Sequence, residues 1–266
     1  MKKLLLFLLL CLFLNGCGGS SFQTMPIHSY LSLAEQGNAE AQYRLGYMYS
    51  TGKGVQKDLE KARLWLEKAI AQGHSDATVW LGVLYLFGEG VPQDYTKARK
   101  LFEEAAAQGN PKGQSALGDI YGHGLGVKQD LVKARSLWEK AAAQGVPGAQ
   151  LNLGKLYTLG AGGVEVNYTK ARELLERAAA QGNADALVGL GIMYAEGRGV
   201  QRDYTKAREL FERAAAKGDA GGLFGLGMMY AEGRGVQRDY SKAKEYLEKS
   251  AAKGFPDAQK ALQHLK

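Results

Sequence analysis

Cysteine is nearly absent: the 266 residues hold two, Cys11 and Cys17, both close to the N-terminus. From Gly18 onward no thiol remains, which excludes a disulfide scaffold, thiol catalysis and cysteine-ligated metal there. Histidine is scarce as well. His28, His74, His123 and His264 stand singly, without an HExxH or other metal-ligand spacing. No GxSxG elbow occurs. The run from Gly160 to Gly163 suggests a phosphate loop, but the GK[ST] that would follow is missing. The expectation is a chain without catalytic residues, metal or cofactor, and a catalytic set assembled from distant residues stays open beside it.

Charge of one sign is modest. With 34 basic and 27 acidic residues the formal charge is +7, and without Lys2 and Lys3 it is +5. That excess suits an acidic partner or surface, and no nucleic acid is expected. Long apolar runs are missing except from Leu4 to Leu14, which follows two lysines. It is too short to cross a bilayer and has the flanks of a secretory signal. The residues Leu14-Asn15-Gly16-Cys17 resemble the lipobox of bacterial lipoproteins. The resemblance implies removal of residues 1–16 and lipid on Cys17, with 17–26 as a tether. Gly18 in place of Asp further implies outer-membrane sorting in a Gram-negative cell, with the domain facing the periplasm and touching the membrane through its lipid only. The alternative is an ordinary secreted protein cleaved nearby.

Glycine, by contrast, is abundant, with 36 residues, and it measures out a repeat. Gly37, Gly73, Gly109, Gly145, Gly182, Gly218 and Gly254 are spaced by 36, 36, 36, 37, 36 and 36 residues. Such a period predicts a solenoid. Each unit reads as two amphipathic helices. Leu45, Met48 and Tyr49 stripe the first helix of unit one, as Leu226, Met229 and Tyr230 do in unit six. Ala62, Trp65, Leu66 and Ala69 stripe the second. Asp58, Asp94, Asp130, Asn167, Asp203 and Asp239 are placed to cap the second helices. Gly37 and its equivalents end them, and Pro111, Pro147 and Pro256 stand at the starts that follow.

Glycine also recurs in the middle of the first helix, at Gly46, Gly82, Gly118, Gly154, Gly191 and Gly227. There it costs about 1 kcal/mol relative to alanine. Close approach of a neighbouring helix is the expected reason. Residues 27–36 read as a lone second helix and the C-terminal tail as a lone first helix. The solenoid of 27–266 therefore has six full units between two half-unit caps.

The motif L-G-x-x-Y-x-x-G-x-G-V-x-x-D-x-x-K-A, complete from Leu45 to Ala62 and again in units two, three, five and six, resembles the Sel-1-like repeat family. Unit four departs from it, with an inserted residue in the run Gly160 to Val164 and Asn167 for Asp, so its turn is expected to be displaced. The resemblance implies an all-α, right-handed α-solenoid of helix-turn-helix repeats that binds other proteins as a monomeric domain. Secreted bacterial members serve as envelope assembly factors, host-interaction factors or immunity proteins against phospholipase toxins. Two binding roles therefore compete, neutralising a toxic effector and scaffolding an envelope complex. A cell-wall or lipid hydrolase is the rival from another class.

Candidate contacts are the positions that vary while the frame stays fixed. On the first helix, the offsets of residues 44, 47 and 51 share one face, which by analogy with other helical-hairpin solenoids lines the groove. This nominates Arg44, Tyr47, Trp80, Val83, Phe87, Asp119, His123, Asn152, Lys155, Glu196 and Glu232 as partner contacts. For Trp80 and Phe87, burial between adjacent units is the competing reading. The stretch MYAEGRGVQRDY, from Met193 to Tyr204 and again from Met229 to Tyr240, reads as a connector, with Glu196, Arg198, Gln201 and Arg202 as its free side chains.

Overall fold

The computed structural model describes residues 25–265, so the signal segment, Cys17 and most of the tether lie outside the described residues. It contains fourteen helices and no strand among them. The chain divides into two compact units, taken in turn.

The first unit, through Val146, holds α1 (Ile27–Glu35) and three helical hairpins. These are α2 (Ala39–Thr51) with α3 (Leu59–Ile70), α4 (Ser75–Phe87) with α5 (Tyr95–Ala107), and α6 (Pro111–His123) with α7 (Leu131–Ala143). The second unit, from Pro147, holds α8 (Pro147–Leu159) with α9 (Tyr168–Ala180), α10 (Ala184–Glu196) with α11 (Tyr204–Ala216), α12 (Ala220–Glu232) with α13 (Tyr240–Ala252), and α14 (Pro256–His264). Within each unit consecutive helices pack on one another, so each is an all-α stack of hairpins.

The helix boundaries follow from side-chain chemistry. Every second helix starts on the expected cap: Asp58 accepts from the Lys61 amide at 3.0 Å, and Asp94, Asp130, Asn167, Asp203 and Asp239 act alike. Each such cap contributes about 1 kcal/mol to its helix. The second helices stop at a left-handed glycine. At Gly37 (φ 92°) the chain turns so that the Asn38 amide donates back to the Leu33 carbonyl.

Unit four keeps this frame. In the other hairpins the cap residue's amide donates to the carbonyl of the motif tyrosine, as Asp58 does to Tyr49 at 2.9 Å. Asn167 does the same to Tyr157 at 2.8 Å. The inserted residue is absorbed inside the turn, where Gly160, Gly162 and Gly163 all take positive φ. The change is therefore confined to the turn, and the second helix keeps its place.

The mid-helix glycines explain how each hairpin closes. A Cβ on Gly82 would lie 2.6 Å from Phe102 Cε1, and one on Gly191 would lie 2.6 Å from Phe211 Cε1. Leu66, Trp138, Leu175 and Leu247 cover the other four glycines. The close approach is thus a large side chain of the hairpin's own second helix lying across bare backbone. All six of these covering residues are buried.

Candidate functional site

The face of the first helices is built differently in the two units. In the first, much of it is packing surface. Trp80 is buried, with its ring 5.0 Å from that of Tyr47 and its Nε1 donating to Ser50 Oγ at 2.7 Å. Val83 is buried as well. Asp119 is buried, and its Oδ1 accepts from Trp138 Nε1 at 2.9 Å. These three residues are corrected: they hold hairpins together and offer nothing to a partner. The physical reasons differ: Trp80 reaches back to Ser50 on the preceding first helix, whereas Asp119 is held by Trp138 of its own hairpin's second helix. Arg44 is half-buried and paired with Glu40 at 2.6 Å. Tyr47 and Phe87 are half-buried, and His123 is exposed.

In the second unit the 44 offset is again internal. A Cβ on Gly189 would lie 3.2 Å from Leu175 Cδ1, and one on Gly225 would lie 2.8 Å from Phe211 Cδ1. The outer two offsets are open. Lys155 and Glu196 are exposed, as is Glu232. Leu159 is 70% exposed and Ile192 40%. Met228 and Asn152 are half-buried. Glu196 pairs with Arg198, and Glu232 with Arg234 at 2.6 Å. Arg202 lies over the Tyr204 ring at 5.4 Å. Three of the four connector side chains read as free are therefore occupied locally, which leaves Lys155, Leu159 and Ile192 as the open part of the face.

A polar ladder joins the first turns of neighbouring first helices. His74 caps α4 by accepting the Ala77 amide at Nδ1, and its Nε2 lies 2.9 Å from Glu40 Oε2. This bond and the Arg44 guanidinium outweigh partial burial and hold the Glu40 carboxyl down to about 2. At the next junction Asn110 donates to Asp76 Oδ1 at 2.7 Å, and Lys112 lies 3.0 Å from Oδ2. Burial pushes Asp76 up, yet the Asn110 bond and the Lys112 charge set its pKa below the ordinary value. In the second unit the same positions carry Asp219 and Asp185. Burial, together with the Asp185 carboxyl, raises Asp219.

A second ladder uses the motif residues. The motif lysine lies over the motif tyrosine in each hairpin, from 3.9 Å for Lys133 over Tyr121 to 5.5 Å for Lys61 over Tyr49. The Tyr121 hydroxyl also donates to Glu103 of the preceding hairpin at 3.3 Å. The arginine-glutamate pairs four apart on the second helices form at 3.4 to 3.9 Å, with Lys244 and Glu248 in the last. Both ladders serve the stack. Among the described residues, no group of three or more His, Cys, Asp or Glu could hold a metal ion, and no helix is long and apolar enough to cross a membrane.

The Sel1 repeat family model matches residues 39–74, 75–110, 111–146, 147–183, 184–219 and 220–255, which are the six hairpins with their glycine ends. A protective antigen present in uropathogenic Escherichia coli strains, with a Sel1-like repeat fold, is 37% identical over 91% of this chain at a TM-score of 0.71. This chain spans about half (51%) of the length of that protein. A Sel1 repeat protein from Oxalobacter formigenes is 32% identical over 85% of this chain and 99% of its own, at a TM-score of 0.73. An immunity protein from Pseudomonas aeruginosa shares the fold at 24% identity, 84% and 86% coverage and a TM-score of 0.55. Among curated proteins, none matches the chain. Sel1 repeats are in general a non-catalytic, protein-binding fold, and the chain belongs to the Sel1 repeat family.

Proposed function

We propose that this protein is an exported lipoprotein that holds another protein without catalysis, and that the protein held is a secreted toxin, such as a phospholipase effector, which it neutralises. The observation that carries the binding reading is the open face of α8, α10 and α12, where Leu159 and Ile192 stay in water beside Lys155. A contiguous exposed apolar patch rimmed by polar side chains is one mark of a protein contact. An immunity protein with this fold in P. aeruginosa supports the toxin as the partner. The lipobox-like Leu14 to Cys17 supports a lipid anchor, and Gly18 after it supports sorting to the outer membrane on the periplasmic side.

The second reading is a scaffold for envelope or exported-polymer assembly, or a host-interaction factor. The E. coli relative, a protective antigen, favours the last of these.

Affinity purification of the lipidated protein from its own cells separates these roles. One dominant toxin partner is expected. Several envelope components would replace that reading with the scaffold, and turnover of phospholipid or muropeptide by the purified chain would overturn binding as the function. Cys17→Ser is expected to abolish palmitate labelling, and labelling that persists would remove the lipid anchor from the proposal.

A further inference from the structure

Hairpin four departs from the other five at its connector, and the departures coincide. The inserted residue falls there, and so do two exposed aliphatic side chains. Leu159, 70% exposed, occupies the position held elsewhere by Thr51, Phe87, His123, Glu196 and Glu232. Val166, 50% exposed, occupies that of Lys57, Gln93, Gln129, Arg202 and Arg238.

The polar residues at the second position have local work. Gln93 donates to the Leu86 carbonyl at 2.8 Å, and Gln129 to the Gly122 carbonyl at 2.7 Å. Lys57 lies 2.8 Å from Glu89, and Arg238 lies over the Tyr240 ring at 5.5 Å. Valine can make none of these bonds. A Cβ on Gly160 would lie 3.0 Å from Val166 Cγ2, so Val166 leans over the end of α8 next to Leu159.

Lys155 sits one turn before Leu159 on the same face. It is exposed, and no carboxylate of the described residues lies within 4.0 Å of it, whereas Glu196 and Glu232 on the following helices are each neutralised by an arginine. Ile192 occupies the Lys155 position on the next first helix. The patch is therefore aliphatic, with Lys155 as the exposed cation beside Leu159 and Ile192, and Glu165 as an exposed carboxylate in the connector before Val166.

We infer that Lys155, Leu159, Val166 and Ile192 form a docking site for a protein segment that presents an apolar side chain next to a carboxylate. The inference rests on the binding reading and names the chemistry of the partner. The apolar surface supplies contact area, and the lysine selects the sign of the neighbouring charge.

The test pans a random peptide library displayed on phage against the full chain. Selected peptides are expected to pair a large apolar residue with Asp or Glu. Capture by the Leu159→Asp, Val166→Asp double variant should fall by about tenfold or more. Lys155→Glu, a surface change that leaves the melting curve in place, should turn the selected charge from acidic to basic.

Selection without acidic preference, or a preference indifferent to Lys155→Glu, overturns the inference. Self-association that the double variant abolishes also overturns it, because the occupant would then be a second copy. A natural partner that co-purifies equally with the double variant removes this site and leaves the binding function standing. Failure to co-purify any partner removes the function instead.

Discussion

The indole Nε1 of Trp80 donates a 2.7 Å hydrogen bond to Ser50 Oγ, thirty residues earlier on the adjacent first helix, with both side chains buried. The bond fixes Trp80 as a structural residue. Trp80→Ala is expected to cost about 3 to 5 kcal/mol from lost packing. Ser50→Ala is expected to cost about 1 to 3 kcal/mol, since it leaves the indole N–H buried without its acceptor. Chemical denaturation of both variants checks this, and peptide capture at the Leu159 patch should survive in the folded fraction. A Trp80→Ala variant that melts like the parent would return Trp80 to the list of partner contacts.

The mid-helix glycines give a graded prediction. Alanine there gains about 1 kcal/mol of helix propensity but adds a methyl group to a filled space. At Gly191 the new Cβ would lie 2.6 Å from Phe211 Cε1. At Gly154 the nearest atom is Leu175 Cγ, at 3.1 Å. Gly191→Ala is expected to lose about 1 to 3 kcal/mol, and Gly154→Ala to lose less, because its nearest neighbour lies at 3.1 Å rather than 2.6 Å and needs to give less. Equal melting temperatures for the two variants would contradict the close-approach explanation.

Much of the frame was legible because it rests on local rules. Glycine at Gly37 and its equivalents, the caps from Asp58 to Asp239 and proline at Pro111 and Pro147 act within one turn of where they stand. The face is harder to read, because variation between repeats does not mean freedom. Trp138 shows why. Its ring lies across both Gly118 and Gly122, and its Nε1 donates to Asp119. Three residues that differ or recur for separate reasons are fitted to one large side chain. Ser50 and Trp80 are matched in the same way across two hairpins. Compensation of this kind depends on which side chains meet, and the period of a repeat does not show that. The trace it leaves in the sequence is an unusual residue in one repeat beside an unusually small or polar one nearby.

The Glu40 carboxyl, held at about 2 by His74 and Arg44, is below its ordinary 4.5. A carboxyl lowered in the folded state adds stability above its unfolded value and loses it as the pH falls from 4.5 toward 2. His74→Ser retains a capping oxygen but cannot reach Glu40. The variant is expected to raise the Glu40 midpoint, read from its carboxyl carbon by NMR, and to shrink the acid-side loss of stability. The midpoint should stay below 4.5, because Arg44 remains 2.6 Å from the carboxylate. An unmoved midpoint would assign the whole effect to Arg44.

Asp219 has the opposite sign. It caps α12 by accepting the Gly222 amide at 2.7 Å, but it is half-buried next to Asp185 and its pKa is raised above 3.8. A carboxyl raised in the folded state stabilises fully below its unfolded value, and the benefit is lost as the pH climbs from 3.8 through the folded value. At neutral pH the second unit therefore carries the cost of a partly desolvated carboxylate that also faces a second one. The first unit contains the remedy. At the equivalent position Asn110 caps α6 through its oxygen while its amide donates to Asp76 at 2.7 Å. Asp219→Asn should reproduce both bonds, with Asp185 as the acceptor. We expect it to stabilise the protein at pH 7 by on the order of 1 kcal/mol, the usual net size of an intramolecular hydrogen bond. Near pH 3, where the native carboxyl is already protonated and can donate to Asp185 itself, the gain should disappear. Thermal melts of both proteins across this range measure the difference directly. A gain independent of pH would mean that asparagine is simply the better cap, and a loss at pH 7 would mean that the two carboxylates do not oppose each other.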